Sequence, residues 1–316
     1  MIDPTKPHEN LILGDEVNVL DIAYLLWDKK LFITSFTSIA AIISVLYALY
    51  LPSIYTSTAL LAPSNNQESG MGGGLGQYAG VASLAGISLP GSSGEKSVEA
   101  VQRIQSFEFF EKYLLPTISL QNLMAIDKWH PATNTISYLE EDFDIESQQW
   151  VRPAIYPLSS KPSSQEAYRV FSKLLSIDED KLTGFINISI EHQSPYIAQK
   201  WVQQIITQIN ESMREIEKAE TTKSVDFLNR QIANIFYEEV RQAISALIQQ
   251  QVKNLMVIES NEYYVLKILD SPIVPERRSA PVRSLIAILG TLFGIVFSTV
   301  TVIIMNYLKV TPLKRT

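Results

Sequence analysis

No cysteine occurs in these 316 residues, which excludes a disulfide framework, a thiol nucleophile and any sulfur metal site. Histidine is almost as scarce. His8, His130 and His192 are scattered and lack the short spacing of metal ligands. Charged residues make up 19% of the chain, below the usual share of about 25%. Their absence is concentrated: no Asp, Glu, Lys or Arg lies between Lys30 and Glu68, or among the 25 residues between Arg283 and Lys309. Glycine and proline are missing from a third window, the 76 residues Tyr196 to Ser271.

The two uncharged windows hold Leu31 to Leu51 (LFITSFTSIAAIISVLYALYL) and Ser284 to Leu308 (SLIAILGTLFGIVFSTVTVIIMNYL). A spanning helix needs about 20 mostly apolar residues at ~1.5 Å rise each. Core helices seldom run that far without one charge, so both windows read as transmembrane. The first is not a cleaved signal: a polar arm of about 30 residues precedes it, and Leu49-Tyr50-Leu51-Pro52 offers no small-residue cleavage site. Lys6, Lys29 and Lys30 precede the first span and no basic residue follows until Lys96, which places the N-terminus in the cytoplasm. Two spans return the C-terminus there, with Lys309, Lys314 and Arg315. Arg277, Arg278 and Arg283 pull the other way. The expected plan is a cytoplasmic arm (1–30), a first span (31–51), an extracytoplasmic domain (52–283), a second span (284–308) and a cytoplasmic tail (309–316).

Residues 52–271 carry 26 acidic and 17 basic side chains, net −9, so no basic face for nucleic acid is visible. Tyr55 to Leu61 and Gly184 to Glu191 alternate as strands do. Nine of the 13 glycines fall between Gly70 and Gly94, too many for a regular element. Apolar spacing predicts a helix over Glu99 to Leu115, and Ser163 to Leu175 starts with a helix cap. Ile197, Trp201, Ile205, Ile209, Met213 and Ile216 recur at helical period, as do Val225, Leu228, Ile232 and Ile235. This predicts one helix over about 195–236, roughly 60 Å long, with a second over 238–259. Ile205 and Ile209 are candidates for packing between subunits, because the stripe is longer than one base domain can cover. Tyr263 to Leu269 reads as the last strand, expected to pair with the first beside the membrane. The predicted fold is therefore an α/β domain with a membrane-proximal mixed sheet and a long helix, flanked by two transmembrane helices.

Few motifs remain. Pro272, Pro275 and Pro281 stiffen the passage into the second span. Gly290 and Gly294 form G-x-x-x-G, which permits close helix contact. The glycine-rich stretch holds no Walker loop, and Gly74-Leu-Gly76-Gln-Tyr-Ala79 opens no βαβ unit. Glu140, Glu141, Asp142, Asp144 and Glu146 contain a notional glycosidase pair, but a run so charged reads as a solvated loop. No catalytic, cofactor-binding or metal-binding residues are assigned, and no cofactor is expected.

Taken in order, Leu20-Asp21-Ile22, Tyr55-Thr-Ser-Thr-Ala59, Val81-Ala-Ser-Leu-Ala-Gly-Ile87, Leu255-Met256, Tyr264-Val265 and the Pro272/Pro275/Pro281 motif resemble the Wzz-type polysaccharide chain-length determinants, the class 1 polysaccharide co-polymerases. The family's proline motif often continues with Lys or Arg; here Val282 intervenes before Arg283. Arg278 belongs to the same segment. The resemblance implies a bacterial inner-membrane protein with both termini cytoplasmic and its main domain periplasmic. It implies a non-catalytic homo-oligomeric scaffold that works in the lipid bilayer with a membrane polysaccharide polymerase. Its role would be to set the modal length of lipid-linked O-antigen or a related glycan, with the growing lipid-linked glycan as a further partner. The alternative is an adaptor in capsule or exopolysaccharide export serving a separate cytoplasmic tyrosine kinase. A kinase or sensor within this chain is not expected, since only eight residues follow Leu308.

Overall fold

The computed structural model describes residues 26–64, 93–154, 156–232 and 236–310. The chain divides into two units, residues 53–279 and the two flanking segments 1–52 and 280–316. The arm at 1–25, the Val81–Ile87 motif and most of the glycine-rich stretch lie outside the described residues, as does the tail at 311–316.

The larger unit is built on a four-stranded sheet, β1 (Tyr55–Pro63), β6 (Leu175–Glu179), β7 (Ile186–His192) and β8 (Leu266–Asp270), in the order β6-β7-β1-β8. Every neighbouring pair is antiparallel, which corrects the expected mixed sheet. The physical reason is that β6 and β7 form a hairpin, and each long excursion returns the chain reversed. The turn between those two strands places Gly184 at φ +70°, where a side chain would be strained. As expected from their position in the sequence, the first and last strands are neighbours: Leu61 faces Ile268 and Pro63 faces Leu266, with an irregularity between Leu60 and Leu61.

Alternation sets one sheet face inward. Ala59 and Leu61 of β1 and Ile186, Ile188 and Ile190 of β7 are buried. Across them lies α6 (Pro195–Ile232), 38 residues without glycine and with proline only at its first position. At 1.5 Å per residue it is about 57 Å long. Its first half supplies Ala198, Trp201, Val202, Ile205, Ile206, Ile209 and Met213 to the core. Its second half extends past the sheet and packs on α7 (Glu238–Ser260), around Leu228, Leu247, Ile244 and Ile248. Ile205 and Ile209 are 1% and 0% exposed, so the reading that they pack between subunits is overturned. They cover the chain's own sheet, because the apolar stripe splits its work between sheet and α7.

The helix expected over Glu99 to Leu115 is broken. α2 (Ser93–Ile104) stops, and Ser106 caps α3 (Phe107–Phe109), which continues as a π-turn (Phe110–Leu114). After α4 (Leu120–Met124) come two small hairpins, β2 (Ile126–His130) with β3 (Thr135–Tyr138) and β4 (Phe143–Asp144) with β5 (Gln149–Trp150). α5 (Ser164–Leu174) opens on a full capping box. Ser163 accepts from the Glu166 amide and Glu166 accepts from the Ser163 amide.

The smaller unit is an antiparallel pair, α1 (Lys30–Tyr50) and α8 (Arg283–Val310). Both are long and apolar enough to cross a membrane. Their apolar side chains face outward: Ile42 is 60% exposed and Phe293 66% exposed, which is wrong for core helices in water and right for helices in lipid.

Candidate functional site

Three places hold the residues the sequence singled out. The first is the proline connection after β8. Pro272 is buried, and its carbonyl accepts from the Gln199 side-chain amide at 3.3 Å. The Ile273 carbonyl accepts from Ser57 Oγ at 2.8 Å. Further on, the Ser279 amide donates to the Ile54 carbonyl at 2.9 Å, and Thr56 Oγ1 donates to Ser279 Oγ at 2.6 Å. The segment is thus sewn along the start of β1, where β8 no longer reaches. Proline suits a run that needs few of its own amide donors. Pro275 is half-buried, and Arg277 and Arg278 are exposed. Among the described residues neither arginine has an acidic partner. Pro281 is in the smaller unit, where the Ala280–Pro281 bond is cis.

The second is the helix pair. A Cβ added at Gly290 would lie 2.2 Å from Ser44 Oγ, and one at Gly294 would lie 2.7 Å from the Ala40 Cβ and 3.4 Å from the Thr37 Cα. The two glycines therefore mark a close approach of α8 to α1 that no larger side chain would permit. Ser44 Oγ donates across the gap to the Ile286 carbonyl at 2.8 Å, and Phe36 stacks on Phe297 at 5.5 Å. Sequence reading missed Thr37, Ala40 and Ser44. Their spacing of three and four residues on one helix face is the signal that could have found them.

The third is the acidic run. Glu140, Glu141 and Glu146 are exposed. Asp144 caps its own turn, accepting from Ser147 Oγ at 2.6 Å and from the Glu146 amide at 2.9 Å. Those hydrogen bonds hold its carboxyl below the usual carboxylate value. The arrangement is a β-hairpin turn. Among the described residues no group of His, Asp and Glu side chains could hold a metal ion.

Polar groups the sequence did not single out do more for the architecture. Asn210, buried in α6, accepts from the Val265 and Leu266 amides at 2.9 and 3.0 Å and donates to the Leu266 carbonyl at 3.0 Å. One amide thus fixes where β8 starts, three residues later than the alternation from Tyr263 suggests. His192 is buried against Trp201, with ring centroids 4.9 Å apart. Its Nδ1 accepts from the Ser194 amide at 2.9 Å, which leaves Nε2–H to donate to the Asn122 carbonyl at 3.0 Å. Burial pulls its pKa below the ordinary 6.5 against those two hydrogen bonds, so the ring is neutral. Lys96 lies 3.0 Å from both Tyr264 Oη and Glu217 Oε1 and ties the start of α2 to α6.

An α/β domain with a long helix, held between two helices of membrane-spanning length, defines a membrane-anchored domain with no visible catalytic centre among the described residues. Residues 15–114 match the family described as Wzz, chain length determinant protein, in line with the resemblance read from the sequence. The chain is similar in structure to a full-length bacterial polysaccharide co-polymerase, with 16% identity, a TM-score of 0.44, and 94% of this chain and 100% of that one covered. It is also similar to a fragment of WzzB, a polysaccharide co-polymerase from Salmonella Typhimurium, with 15% identity, a TM-score of 0.33, and 72% and 100% covered. Both likenesses are loose and carry no argument about assembly or partners. No curated protein matches the sequence.

Proposed function

We propose that this protein is a non-catalytic scaffold of a bacterial inner membrane. It sets the modal chain length of a lipid-linked surface polysaccharide, O-antigen or a related glycan, made by a membrane polymerase. The observation that carries this reading is the Wzz match over residues 15–114, which spans α1, β1 and the helices that close over the sheet. The two helices of spanning length support it, and on this reading the domain is periplasmic with both termini in the cytoplasm. The scaffold acts as a homo-oligomer. Phe227, Phe236, Tyr237 and Val240, between 43% and 94% exposed around the α6–α7 corner, are apolar groups that the subunit leaves uncovered there.

The test is a deletion strain. Its surface glycan, run as a ladder on a gel, should lose its preferred length and recover it when the full chain is restored. An unchanged ladder after deletion would overturn the reading. Light scattering of the full chain in mild detergent should give a mass several times that of the 35.5 kDa subunit. A monomer at every concentration would remove the oligomer from the account.

A further inference from the structure

The larger unit contains an open groove of about 800 Å³, within the ~300–1,000 Å³ common for ligand sites. None of the residues singled out from the sequence lies in it. Four elements converge on it: the π-turn through Glu111, α4 through Gln121, the β4–β5 hairpin through Gln149 and Trp150, and the start of α5 through Lys161 and Ser164.

We propose that this groove binds a short stretch of polysaccharide, two or three sugar units long, resting on the reading of the protein as a glycan-length determinant. The lining has the chemistry such a ligand needs. A pyranose offers hydroxyls that both donate and accept around its rim, and a face of C–H groups. Gln121 and Gln149 offer both donors and acceptors, Glu111 accepts, and Lys161 donates. Trp150, half-buried, is an aromatic surface for the C–H face. Nucleic acid would need basic walls, and the lining holds one lysine, Lys161, and one carboxylate, Glu111. A peptide would need a bare strand edge or a row of apolar pockets, whereas this lining is mainly polar.

The groove is also preformed, so little ordering is left for binding. Arg152 pins the loop behind it with four hydrogen bonds. Two go to the Glu166 carboxylate, each at 2.9 Å, and two to the Ser159 and Ser160 carbonyls at 2.9 and 2.7 Å. Ser164 Oγ donates to Glu111 Oε1 at 2.5 Å and joins two walls. The Trp150 ring stands edge-on to buried Phe143 at 5.2 Å. The side-chain amide of Gln149 and the ammonium of Lys161, both exposed, have no protein partner among the described residues and are poised for a ligand.

The experiment is calorimetric titration of the full chain in detergent. The probe is surface polysaccharide from the producing bacterium, released by mild acid and sized to a few sugars, with dextran oligosaccharide as the control. The expected result is saturable binding of the surface oligosaccharide and not of dextran. Binding should weaken at least tenfold in Gln149→Ala/Lys161→Ala, whose side chains are exposed and carry no fold contacts. Trp150→Phe, which keeps the ring packing on Phe143, should weaken it less than Trp150→Ala. No binding, equal binding of dextran, or full-strength binding by the Gln149→Ala/Lys161→Ala variant would each overturn the proposal. A deletion strain with an unchanged ladder would defeat the length-control reading, whatever the titration shows. A changed ladder with a failed titration would defeat the groove alone.

Discussion

Asn210 shows how much one buried side chain decides. Replacing it with Ala leaves the Val265 and Leu266 amides without their acceptor in a buried place. Each orphaned group costs about 1–3 kcal/mol. The melting temperature of the full chain in detergent should fall on the order of 5–10 °C; an unchanged melt would mean water replaces the amide. His192 makes a prediction about pH. Its folded pKa lies below its unfolded 6.5, so the unfolded chain binds more protons between the two values. Its contribution is complete above pH 6.5 and is lost as pH falls below it, by at most ~1.4 kcal/mol per pH unit. Glu166 is separable from this. Its hydrogen bonds from Arg152, and then the Ser163 amide, hold its carboxyl down to about 2, so its contribution is present above 4.5 and fades only as pH falls below that. Thermal melts from pH 7 to pH 5 should slope downward in the native chain and flatten in His192→Gln. Equal slopes would place the acid sensitivity elsewhere. Neither Asn210 nor His192 announces itself in the sequence, because a lone polar residue on an apolar helix face or at a strand end has no period to mark it.

The elements with sustained periodicity were legible, and those held by tertiary contact were not. The 76-residue window without glycine or proline reads as long helix, and the structure places α6 and α7 there. Ile205 and Ile209 were misassigned to a subunit interface because periodicity identifies a buried face without saying what buries it. The two small hairpins and the π-turn of the middle third carry too few residues each for a pattern. The Gly-x-x-x-Gly of α8 was visible, but its partner face on α1 needed the structure. Gly290 and Gly294 lead to a direct test. Labelled peptides of α1 and α8 in lipid vesicles should associate by energy transfer. Gly294→Leu, which drives a side chain into Ala40 and the backbone at Thr37, should weaken association at least tenfold. Undiminished transfer would show that the glycines are incidental. The proline connection gives a second test. Pro275→Ala/Pro281→Ala should leave the circular dichroism of the full chain unchanged while shifting the glycan ladder, since the prolines restrict backbone rather than fill the core. An unshifted ladder would limit them to folding.

Across the whole molecule, what was missing from the sequence carried the most information. Two stretches without charge point to the helix pair, and the lack of cysteine removes thiol chemistry. The groove in the larger unit was invisible because its lining comes from four segments spread over about fifty residues, none with a motif. The account's central claim is that the chain controls glycan length through its assembled shape and performs no chemistry. The acidic run is where the sequence offers a notional catalytic pair, and it lies at the β4–β5 hairpin with Glu140, Glu141 and Glu146 exposed. The most direct measurement is the glycan ladder of a deletion strain complemented in turn with Ala substitutions at Glu140, Glu141, Asp142, Asp144 and Glu146. Each variant should restore a preferred glycan length. Complete loss of length control from any one of them, with the oligomer intact by light scattering, would contradict the account and point to an enzyme.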